Sequence, residues 1–222
     1  MTGDLFSKTN PPLSGKEKPV KDPLPQSSYV PLAARMRPQN LDDYYGQSHI
    51  LASGNLLRRA IEADRIQSLI FFGPPGTGKT SLAQVIANQT KCKFERLSGV
   101  ESNVSDMRKV LYSASNRLAN TGESTLLFID EIHRFNKAQQ DVLLPDVENG
   151  AVRLIGATTH NPFFFVNSPL VSRSQVFELE PLSESEISQL LNRALRDEER
   201  GLGYLNCVID EAAIEHLSIV SN

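Results

Sequence analysis

Short apolar runs alternate with longer amphipathic segments through the middle of the chain. The apolar runs have the length and composition of buried strands, and they read IQSLIFFG, KFERLS, STLLFID and RLIGATT. The amphipathic segments predict helices: one is TSLAQVIANQT, and the next places apolar side chains at steps of three and four, at Val104, Met107, Leu111, Ala114 and Leu118. Strands that alternate with helices in this way predict an α/β fold, in which helices cover a parallel sheet on both faces.

Polar and turn-forming residues divide this region. Pro145 lies within the periodic segment KAQQDVLLPDVENG, so a helix there should kink or restart. Asn149 and Gly150 predict the turn into the fourth strand.

Beyond Pro181 the pattern is purely helical. Two amphipathic segments, LSESEISQLLNRALRDEER and VIDEAAIEHLSIVSN, flank the linker GLGYLN, and Ser183 with Glu186 fits a capping box. We therefore expect a large α/β domain over residues 29–180 and a partial helical lid over residues 181–222.

Residues 1–28 are rich in proline and poor in apolar side chains. Such a segment cannot bury enough surface to offset the entropy lost on ordering, so it predicts a disordered tail. Within it, Leu5 and Phe6 could dock in a partner's apolar pocket, with chance occurrence as the competing explanation.

Composition narrows the class of protein. The 222 residues, 40% of them hydrophobic, suffice for one sizeable core, and the net charge of -3 provides no overall basic field for nucleic acid. Cys92 and Cys207 lack metal-ligand spacing, which favours structural thiols in a reducing compartment. Because no apolar stretch has the pattern of a secretion signal or the length of a membrane span, we expect a soluble, cytoplasmic protein with no membrane partner.

One turn carries a phosphate-binding motif. GPPGTGKT, residues 73–80, matches G-x-x-x-x-G-K-[ST] between a predicted strand and a predicted helix, as a P-loop requires. Its backbone N–H groups would face phosphate oxygens, Lys79 would reach the β- and γ-phosphates, and Thr80 would bind Mg²⁺. The alternative is a surface turn that ends in Lys-Thr by chance. The predicted nucleotide contacts in this motif and the residue after it are Gly73, Pro74, Pro75, Gly76, Thr77, Gly78, Lys79, Thr80 and Ser81.

Two acids end the third predicted strand. Asp130 would hold the metal ion from a strand that neighbours the P-loop, and Glu131 would act as the general base for the attacking water. Glu131 has a second interpretation, in which it only complements the dipole of a helix that begins there.

Two further segments would complete a hydrolytic site. ATTHN, residues 157–161, ends the fourth strand with hydroxyl and amide groups that could reach the γ-phosphate, although the same residues suit an ordinary strand-end turn. SPLVSRSQVF places Arg173 in a polar turn after a short apolar helix. Arg173 is then either a solvated charge or a finger that enters the phosphate site of a neighbouring subunit.

Four segments together resemble one family of ATPases. GPPGTGKT, FIDEIHRFNKAQQDVLLPDVENG, LIGATTHNP and SPLVSRSQVF are similar to AAA+ ATPases of the clamp-loader and RuvB group. DEIHR is shared with RuvB, whereas FNKAQQDVLLPDVENG favours the replication-associated recombination protein A family, which is related to the eukaryotic Werner-helicase-interacting protein. The resemblance runs from about Pro31 to Asn222.

This resemblance implies an AAA+ P-loop NTPase fold with ATP and Mg²⁺ as ligands. It assigns Asp130 and Glu131 to the Walker B motif, Thr159 (with Thr158 as the alternative) to sensor 1, and Arg173 to the arginine finger.

The resemblance also implies where the base would lie. The adenine would pack on PLAARMRPQNLDDYYGQSHIL, with Tyr45, Gly46 and Gln47 as its contacts.

The functional implication is ATP hydrolysis coupled to movement on single-stranded or forked DNA at stalled replication forks. Family members form homo-oligomers through a C-terminal domain and carry a sensor-2 arginine on a third lid helix, and this chain ends before either. We therefore expect nucleotide binding to persist and hydrolysis to be impaired.

Candidate partners are single-strand binding protein and a sliding clamp, with a nucleoid-associated location in a bacterium. The alternatives are a RuvB-like branch-migration motor, a clamp-loader subunit, or a nucleotide-binding fragment without turnover.

A DNA contact is expected from RFNKAQQ. Arg134, Lys137 and Gln139 could contact phosphates and sugars without reading sequence. An ordinary solvated helix face explains the same residues equally well.

Overall fold

The computed structural model describes residues 30–221, and the predicted tail over residues 1–28, with Leu5 and Phe6, lies outside them. In the described residues one parallel sheet contains β1 (Ser68–Phe72), β2 (Lys93–Ser98), β3 (Thr125–Asp130), β4 (Val152–Thr158) and β5 (Ser174–Glu178). The strands lie in the order β2-β3-β4-β1-β5. The sequence-predicted α/β fold with a parallel sheet is confirmed.

The helices connect and flank these strands. Before β1 lie α1 (Leu32–Arg35), α2 (Ser48–Leu51) and α3 (Leu56–Glu62), and between β1 and β3 lie α4 (Lys79–Gln89) and α5 (Val104–Thr121). The later helices are α6 (Lys137–Asp141), α7 (Leu144–Glu148), α8 (Pro162–Phe165), α9 (Ser168–Ser172), α10 (Glu184–Arg196) and α11 (Glu211–Val220).

Side chains alternate between the two faces of the sheet. On β1, Leu69 and Phe71 pack with Leu82 of α4 in one apolar cluster. Ile70, between them, packs with Met107 of α5 in the cluster on the opposite face. The period of two along each strand therefore supplies two cores, and the prediction of helices on both faces is confirmed.

The strand order corrects one expectation. β4 lies between β1 and β3, so the prediction that Asp130 ends a strand neighbouring the P-loop strand is wrong. The chain leaves β1 through α4, crosses to the far edge at β2, and returns through β3 and β4. Because all the strands are parallel, the ends of β1, β3 and β4 still share one edge, with those of β1 and β3 about 10 Å apart.

The sequence pattern does not predict β5. Its five residues, SQVFE, are all at least partly exposed at the edge of the sheet. A run this short, with only two large apolar side chains, gives too weak a periodic signal to distinguish a strand from a turn.

Three local predictions are confirmed. The helix that contains Pro145 does restart, because α6 ends at Asp141 and Pro145 lies in the first turn of α7. Gly150 adopts φ 79 in the turn before β4. Ser183 caps α10, and its side chain and that of Glu186 form the reciprocal hydrogen bonds of a capping box.

Ion pairs join the C-terminal helices to the segment before α2. Asp43 accepts hydrogen bonds from Arg193 of α10 and from Arg200, and Arg200 also pairs with Asp197 at 3.4 Å. Burial alone would raise the pKa of Asp43, but the hydrogen bonds from Arg193 and Arg200 outweigh it and lower that pKa. The contacts hold α10 against the region that precedes the sheet, while the domain boundary at residue 181 stays a prediction.

Two compositional expectations can be compared with the structure. Cys92 is partly buried, Cys207 is exposed, and both are free thiols. Across residues 30–221, no helix combines the length and the apolar character needed to span a bilayer.

Candidate nucleotide-binding site

The loop between β1 and α4 has the curled backbone of a phosphate cradle. Gly73 and Gly78 have φ values of 146° and 91°, a backbone conformation that residues with a side chain rarely adopt. A Cβ on Gly73 would lie 2.1 Å from the carbonyl oxygen of Leu179, and one on Gly78 would lie 2.4 Å from the Tyr44 hydroxyl. The loop therefore needs glycine for backbone conformation and for close packing, which explains the spacing in the motif.

The amine of Lys79 lies inside this curl. Nζ donates to the carbonyl oxygen of Gly73 at 2.8 Å and to that of Pro74 at 2.7 Å, and the side chain is largely buried. Burial lowers the pKa of Lys79, while the nearby charges of Glu131 and Asp130 act in the opposite direction. The two acids after β3 and the P-loop lysine thus share one electrostatic environment.

The oxygen donors near Lys79 suit Mg²⁺. Thr80 is half-buried in the first turn of α4, and Asp130 is half-buried at the end of β3. A hydroxyl and a carboxylate are the kind of ligand that Mg²⁺ takes from a protein when phosphate oxygens and waters supply the rest. Asp130 Oδ2 accepts a hydrogen bond from Arg96 at 3.1 Å, so Arg96 already neutralises one side of this carboxylate.

Glu131 occupies an unusual backbone conformation. Its φ of 53 and ψ of 48 lie in the left-handed region, and it precedes a 3₁₀ turn at Ile132–Arg134 without a capping hydrogen bond from its side chain. The dipole-complement interpretation therefore finds little support, because a single 3₁₀ turn has a small dipole and the carboxylate does not cap it. Instead, Glu131 Oε2 lies 3.2 Å from Nδ1 of His133. Strained backbone of this kind concentrates at functional sites.

The two threonines at the end of β4 differ in environment. Thr158 is fully buried, and its Oγ1 lies 2.9 Å from His133 Nδ1 and accepts a hydrogen bond from the N–H of His160 at 3.0 Å. Thr159 follows the strand and is only half-buried. The hydroxyl of Thr158 is committed to protein partners, so it is not free to face a bound phosphate.

A cleft of about 600 Å³ opens beside the P-loop, between the N-terminal segment and α10. Tyr45, Gly76, Thr77, Gly78 and Ser81 are among its lining residues. The predicted base contact at Tyr45 therefore adjoins the P-loop in space, as a nucleotide requires.

The other two predicted base contacts lie behind the cleft. Gln47 is buried, and its side-chain amide donates to the carbonyl oxygen of Glu180 at 2.7 Å and accepts from the N–H of Glu180 at 3.0 Å. Gly46 packs so closely on Leu182 that a Cβ would lie 2.4 Å from its Cδ2. Neither Gly46 nor Gln47 lines the cleft, and both instead connect the N-terminal segment to the start of the C-terminal helices.

Tyr44 links the N-terminal segment to the P-loop. Its hydroxyl lies 3.3 Å from the carbonyl oxygen of Thr77 and 3.2 Å from that of Gly78, where it donates a hydrogen bond. Burial raises the pKa of Tyr44, so the hydroxyl keeps its proton at any physiological pH. This contact restrains the peptide groups that follow Thr77 and Gly78, and therefore also the directions of their N–H groups.

Replacing Tyr44 with Phe keeps the ring and removes only this hydrogen bond. We expect the affinity for ATP to fall about 5-fold, since a hydrogen bond of this type contributes about 1 kcal/mol. A calorimetric titration with ATP measures the change. Tyr112→Phe, on the exposed side of α5, is the matched control and should bind as the wild type does. Equal affinities for Tyr44→Phe and wild type would contradict the role assigned to the hydroxyl.

Arg173 lies near the amino-terminal ends of β1 and β5, whereas the P-loop lies at the carboxyl-terminal end of β1. In the register of β1 with β5, Ser174 pairs with Ser68 at the start of β1, whereas the P-loop follows Phe72 at its end. The five residues of β1 put about 16 Å between these two ends of the sheet, which is beyond the reach of an arginine side chain. Arg173 instead forms a partly exposed ion pair with Glu148 at 2.7 Å. It can contact a γ-phosphate only in another subunit.

The residues expected to contact DNA differ in their exposure and in their hydrogen bonds. Arg134 and Lys137 are exposed, and Lys137 begins α6. Gln139, by contrast, forms a capping box with Asn136, whose N–H donates to Gln139 Oε1 at 2.8 Å. Gln139 thus has a structural role at the start of α6.

Three residues in or near the site, and one that pairs with the distant Arg173, are not among those the sequence predicts. Tyr44 contacts the P-loop, Arg96 contacts Asp130, His133 contacts Glu131, and Glu148 pairs with Arg173. Only His133 had a local signal, since it lies two residues after the proposed base. The other three contacts join distant segments, and nothing in the local pattern indicates them.

Comparison with known proteins gives a consistent result. Residues 36–162 match the family described as the Holliday junction DNA helicase RuvB P-loop domain. Replication-associated recombination protein A of Haemophilus influenzae is 47% identical over 194 residues, which are 87% of this chain and 43% of that protein. The protein of the same name from Escherichia coli strain K12 is 50% identical over 186 residues, which are 83% of this chain and 41% of that protein.

A solved structure extends the likeness to the fold. The Holliday junction branch migration motor RuvB of Thermotoga maritima has a TM-score of 0.66 and 31% identity, over 83% of this chain and 59% of that chain. The chain spans less than half the length of the two curated relatives, 43% and 41%. The resemblance carried by the four sequence segments is confirmed. The chain belongs to the AAA+ P-loop ATPases with a RuvB-like P-loop domain, in the group of replication-associated recombination protein A.

Proposed function

We propose that this chain binds ATP with Mg²⁺ at the carboxyl edge of its sheet and hydrolyses the bond to the γ-phosphate. The observation that carries the proposal is the convergence of Lys79, Asp130 and Glu131. Lys79 is held inside the curled P-loop, and both carboxylates act on its charge from the end of β3. A largely buried cation that feels the charge of two acids, on a P-loop whose other residues line a cleft of about 600 Å³, is an arrangement that suits a triphosphate and its metal ion.

Each residue then has a defined task. The P-loop N–H groups and Lys79 hold the β- and γ-phosphates, and Thr80 with Asp130 would hold Mg²⁺, which supplies charge neutralisation between these phosphates. Glu131 takes a proton from the attacking water as general base. Thr159 orients the γ-phosphate or this water from the end of β4.

The base would occupy the cleft beside the P-loop. Tyr45 and, from α10, Leu190 and Leu191 line it. The guanidinium carbon of Arg193 lies 5.9 Å from the centre of the Tyr45 ring, and this cation–π contact restrains the ring. An aromatic and aliphatic pocket of this kind suits the flat faces of adenine.

Arg173 would act between subunits of a homo-oligomer. Because it lies about 16 Å from its own P-loop, a role in hydrolysis needs a neighbour whose P-loop faces this edge. The Glu148 ion pair is partly exposed and contributes little stability, so exchanging Glu148 for a phosphate costs little.

The proposed cellular role is the use of ATP hydrolysis on single-stranded or forked DNA during replication-associated recombination. The names of the two curated relatives support this class of process. On this chain, exposed Arg134 and Lys137 are the candidate phosphate contacts. Single-strand binding protein and a sliding clamp remain candidate partners.

A RuvB-like motor is the second candidate. The match of residues 36–162 to the RuvB P-loop domain and the similarity to the Thermotoga maritima motor support it. Identities of 47% and 50% to the recombination protein A relatives, against 31% to RuvB, favour the first candidate.

Phosphate release by the chain, measured with and without single-stranded or forked DNA, tests the hydrolytic proposal.

A mixing experiment tests the role of Arg173. Arg173→Ala alone should lose roughly 10³-fold or more of the turnover, and Glu131→Gln alone about 10²- to 10⁴-fold. An equal mixture should recover about a quarter of wild-type turnover, because one neighbouring pair in four combines an intact Glu131 with an intact Arg173.

The controls separate the possible outcomes. Arg65→Ala removes another exposed arginine near the start of β1 and should leave turnover unchanged. Inactive Arg173→Ala that no mixture restores would contradict action between subunits. Wild-type chain that binds ATP but releases no phosphate under any of these conditions would instead be a nucleotide-binding module without turnover.

A further inference from the structure

A buried histidine contacts the proposed general base. His133 lies in the 3₁₀ turn that follows Glu131, and its side chain is only 7% exposed. Its Nδ1 lies 3.2 Å from Glu131 Oε2 and 2.9 Å from Thr158 Oγ1. One nitrogen therefore connects the acid after β3 to the threonine that ends β4.

The partners of Thr158 determine where the proton lies. Its hydroxyl donates to the carbonyl oxygen of His160 at 3.3 Å, and its oxygen accepts from the N–H of His160 at 3.0 Å. The remaining lone pair of Thr158 Oγ1 faces His133 Nδ1, and an ionised Glu131 can only accept. A proton on Nδ1 of His133 suits both neighbours: it can be donated to Thr158 Oγ1, and it lies beside the carboxylate oxygen of Glu131.

The surroundings hold the imidazole ring in place and keep it neutral. The ring of His160 packs edge-on against it with centres 4.4 Å apart, and Phe165 lies 6.3 Å away. Burial lowers the pKa of His133, and the charges of His160 and Arg134 add to this effect, while Glu131 opposes it. A neutral N–H donor fixes a carboxylate without the loss of basicity that a full positive charge would cause.

Because the backbone of Glu131 is held in one conformation, only its side-chain torsions determine where the carboxylate points. Its left-handed conformation is held from behind by Gly99, where a Cβ would lie 2.3 Å from the Glu131 carbonyl oxygen. The N–H of Gly99 also donates to the Asp130 carbonyl oxygen at 2.7 Å. With the main chain held by the loop that follows β2, the close contact between His133 Nδ1 and Glu131 Oε2, 3.2 Å apart, favours one direction of the carboxylate.

We infer that His133 is a positioning residue that aims the Glu131 carboxylate at the attacking water, with Thr158 fixing the imidazole ring. This inference rests on the proposed hydrolytic function. It assigns the buried Thr158 a task distinct from that of Thr159, because Thr158 acts through His133 and not on the phosphate. A carboxylate misplaced by about 1 Å loses up to roughly 10²-fold in rate, so the contact has a measurable consequence.

Two substitutions distinguish positioning from packing. His133→Asn places an amide N–H near the position of Nδ1, whereas His133→Leu fills the space without a donor. We expect His133→Leu to lower kcat about 10- to 100-fold with little change in KM for ATP, and His133→Asn to restore kcat to within about 3-fold of wild type. In the Glu131→Gln background, His133→Leu should produce no further loss. His216→Leu, at an exposed position on α11, is the control and should change kcat less than about 2-fold.

A readout without turnover separates this inference from the proposed function. Nitrogen NMR of the wild-type chain should show His133 as the Nδ1–H tautomer, and Thr158→Val should weaken that preference. The inference fails if His133 is the Nε2–H tautomer, if His133→Leu keeps wild-type kcat in an active chain, or if His133→Asn is as slow as His133→Leu. If the wild type shows no turnover while the Nδ1–H tautomer is present, the hydrolytic function fails and the contact to Glu131 stands.

Discussion

We expect Lys79→Ala to lower the affinity for ATP by about 100-fold and to abolish turnover. The ammonium of Lys79 exchanges two neutral carbonyl partners, on Gly73 and Pro74, for charged phosphate oxygens when nucleotide binds. Hydrogen bonds to charged groups contribute about 1.5–3 kcal/mol, and the upper part of this range corresponds to roughly 10²-fold in affinity. Isothermal titration calorimetry with ATP and Mg²⁺ gives the dissociation constants directly.

The fold should survive this substitution. Burial lowers the pKa of Lys79, which shows that its charge is held at some cost in the free protein. Removing the charge should therefore leave the thermal unfolding midpoint close to that of wild type, so that lost binding cannot be attributed to unfolding. Lys91→Ala, at an exposed position just after α4, is the matched control and should bind ATP normally. Wild-type affinity in Lys79→Ala would remove the lysine from the phosphate site.

We expect Glu131→Gln to slow hydrolysis by about 10²- to 10⁴-fold and to leave ATP binding within a few-fold of wild type. Glutamine has nearly the same shape but cannot accept the proton of the attacking water, and general-base catalysis contributes rate enhancements of this size. The effect should appear in kcat, because the carboxylate acts on the water in the transition state and holds little of the ground-state nucleotide. Single-turnover phosphate release, with nucleotide binding measured in parallel, separates the two steps.

Glu215→Gln supplies the comparison for the loss of a carboxylate. Glu215 is exposed on α11 and far along the chain from the P-loop, so this change should leave turnover unaltered. If Glu131→Gln hydrolyses ATP at the wild-type rate, Glu131 is not the base, and its left-handed backbone would need another explanation.

Local patterns predicted the parts of this site that adjoin one another in sequence. The P-loop lies between a strand and a helix, and Asp130 with Glu131 follows an apolar strand, because both signals depend on residues within one element. The continuous apolar run SLIFF likewise indicated a buried strand, and the structure covers both of its faces. These features require no knowledge of which strands pair.

The sequence could not indicate contacts that depend on strand order and on distant segments. Placement of β4 between β1 and β3 follows from the crossover to β2, which no local period encodes. The hydrogen bond from Tyr44 to Gly78 joins residues in different elements, and the pairing of Arg173 with Glu148 depends on how β5 docks at the sheet edge. Such interactions become visible only when the fold brings the segments together.

In the proposed function, the P-loop and the two acids at the end of β3 act on one triphosphate and its metal ion. The most direct test is a crystal structure of the chain with a non-hydrolysable ATP analogue and Mn²⁺, in which anomalous scattering locates the metal. We expect the triphosphate within the curl of residues 73–80, with Lys79 on its β- and γ-oxygens and Mn²⁺ between the Thr80 hydroxyl and the Asp130 carboxylate. A metal remote from both side chains, or a triphosphate bound elsewhere, would contradict the claim.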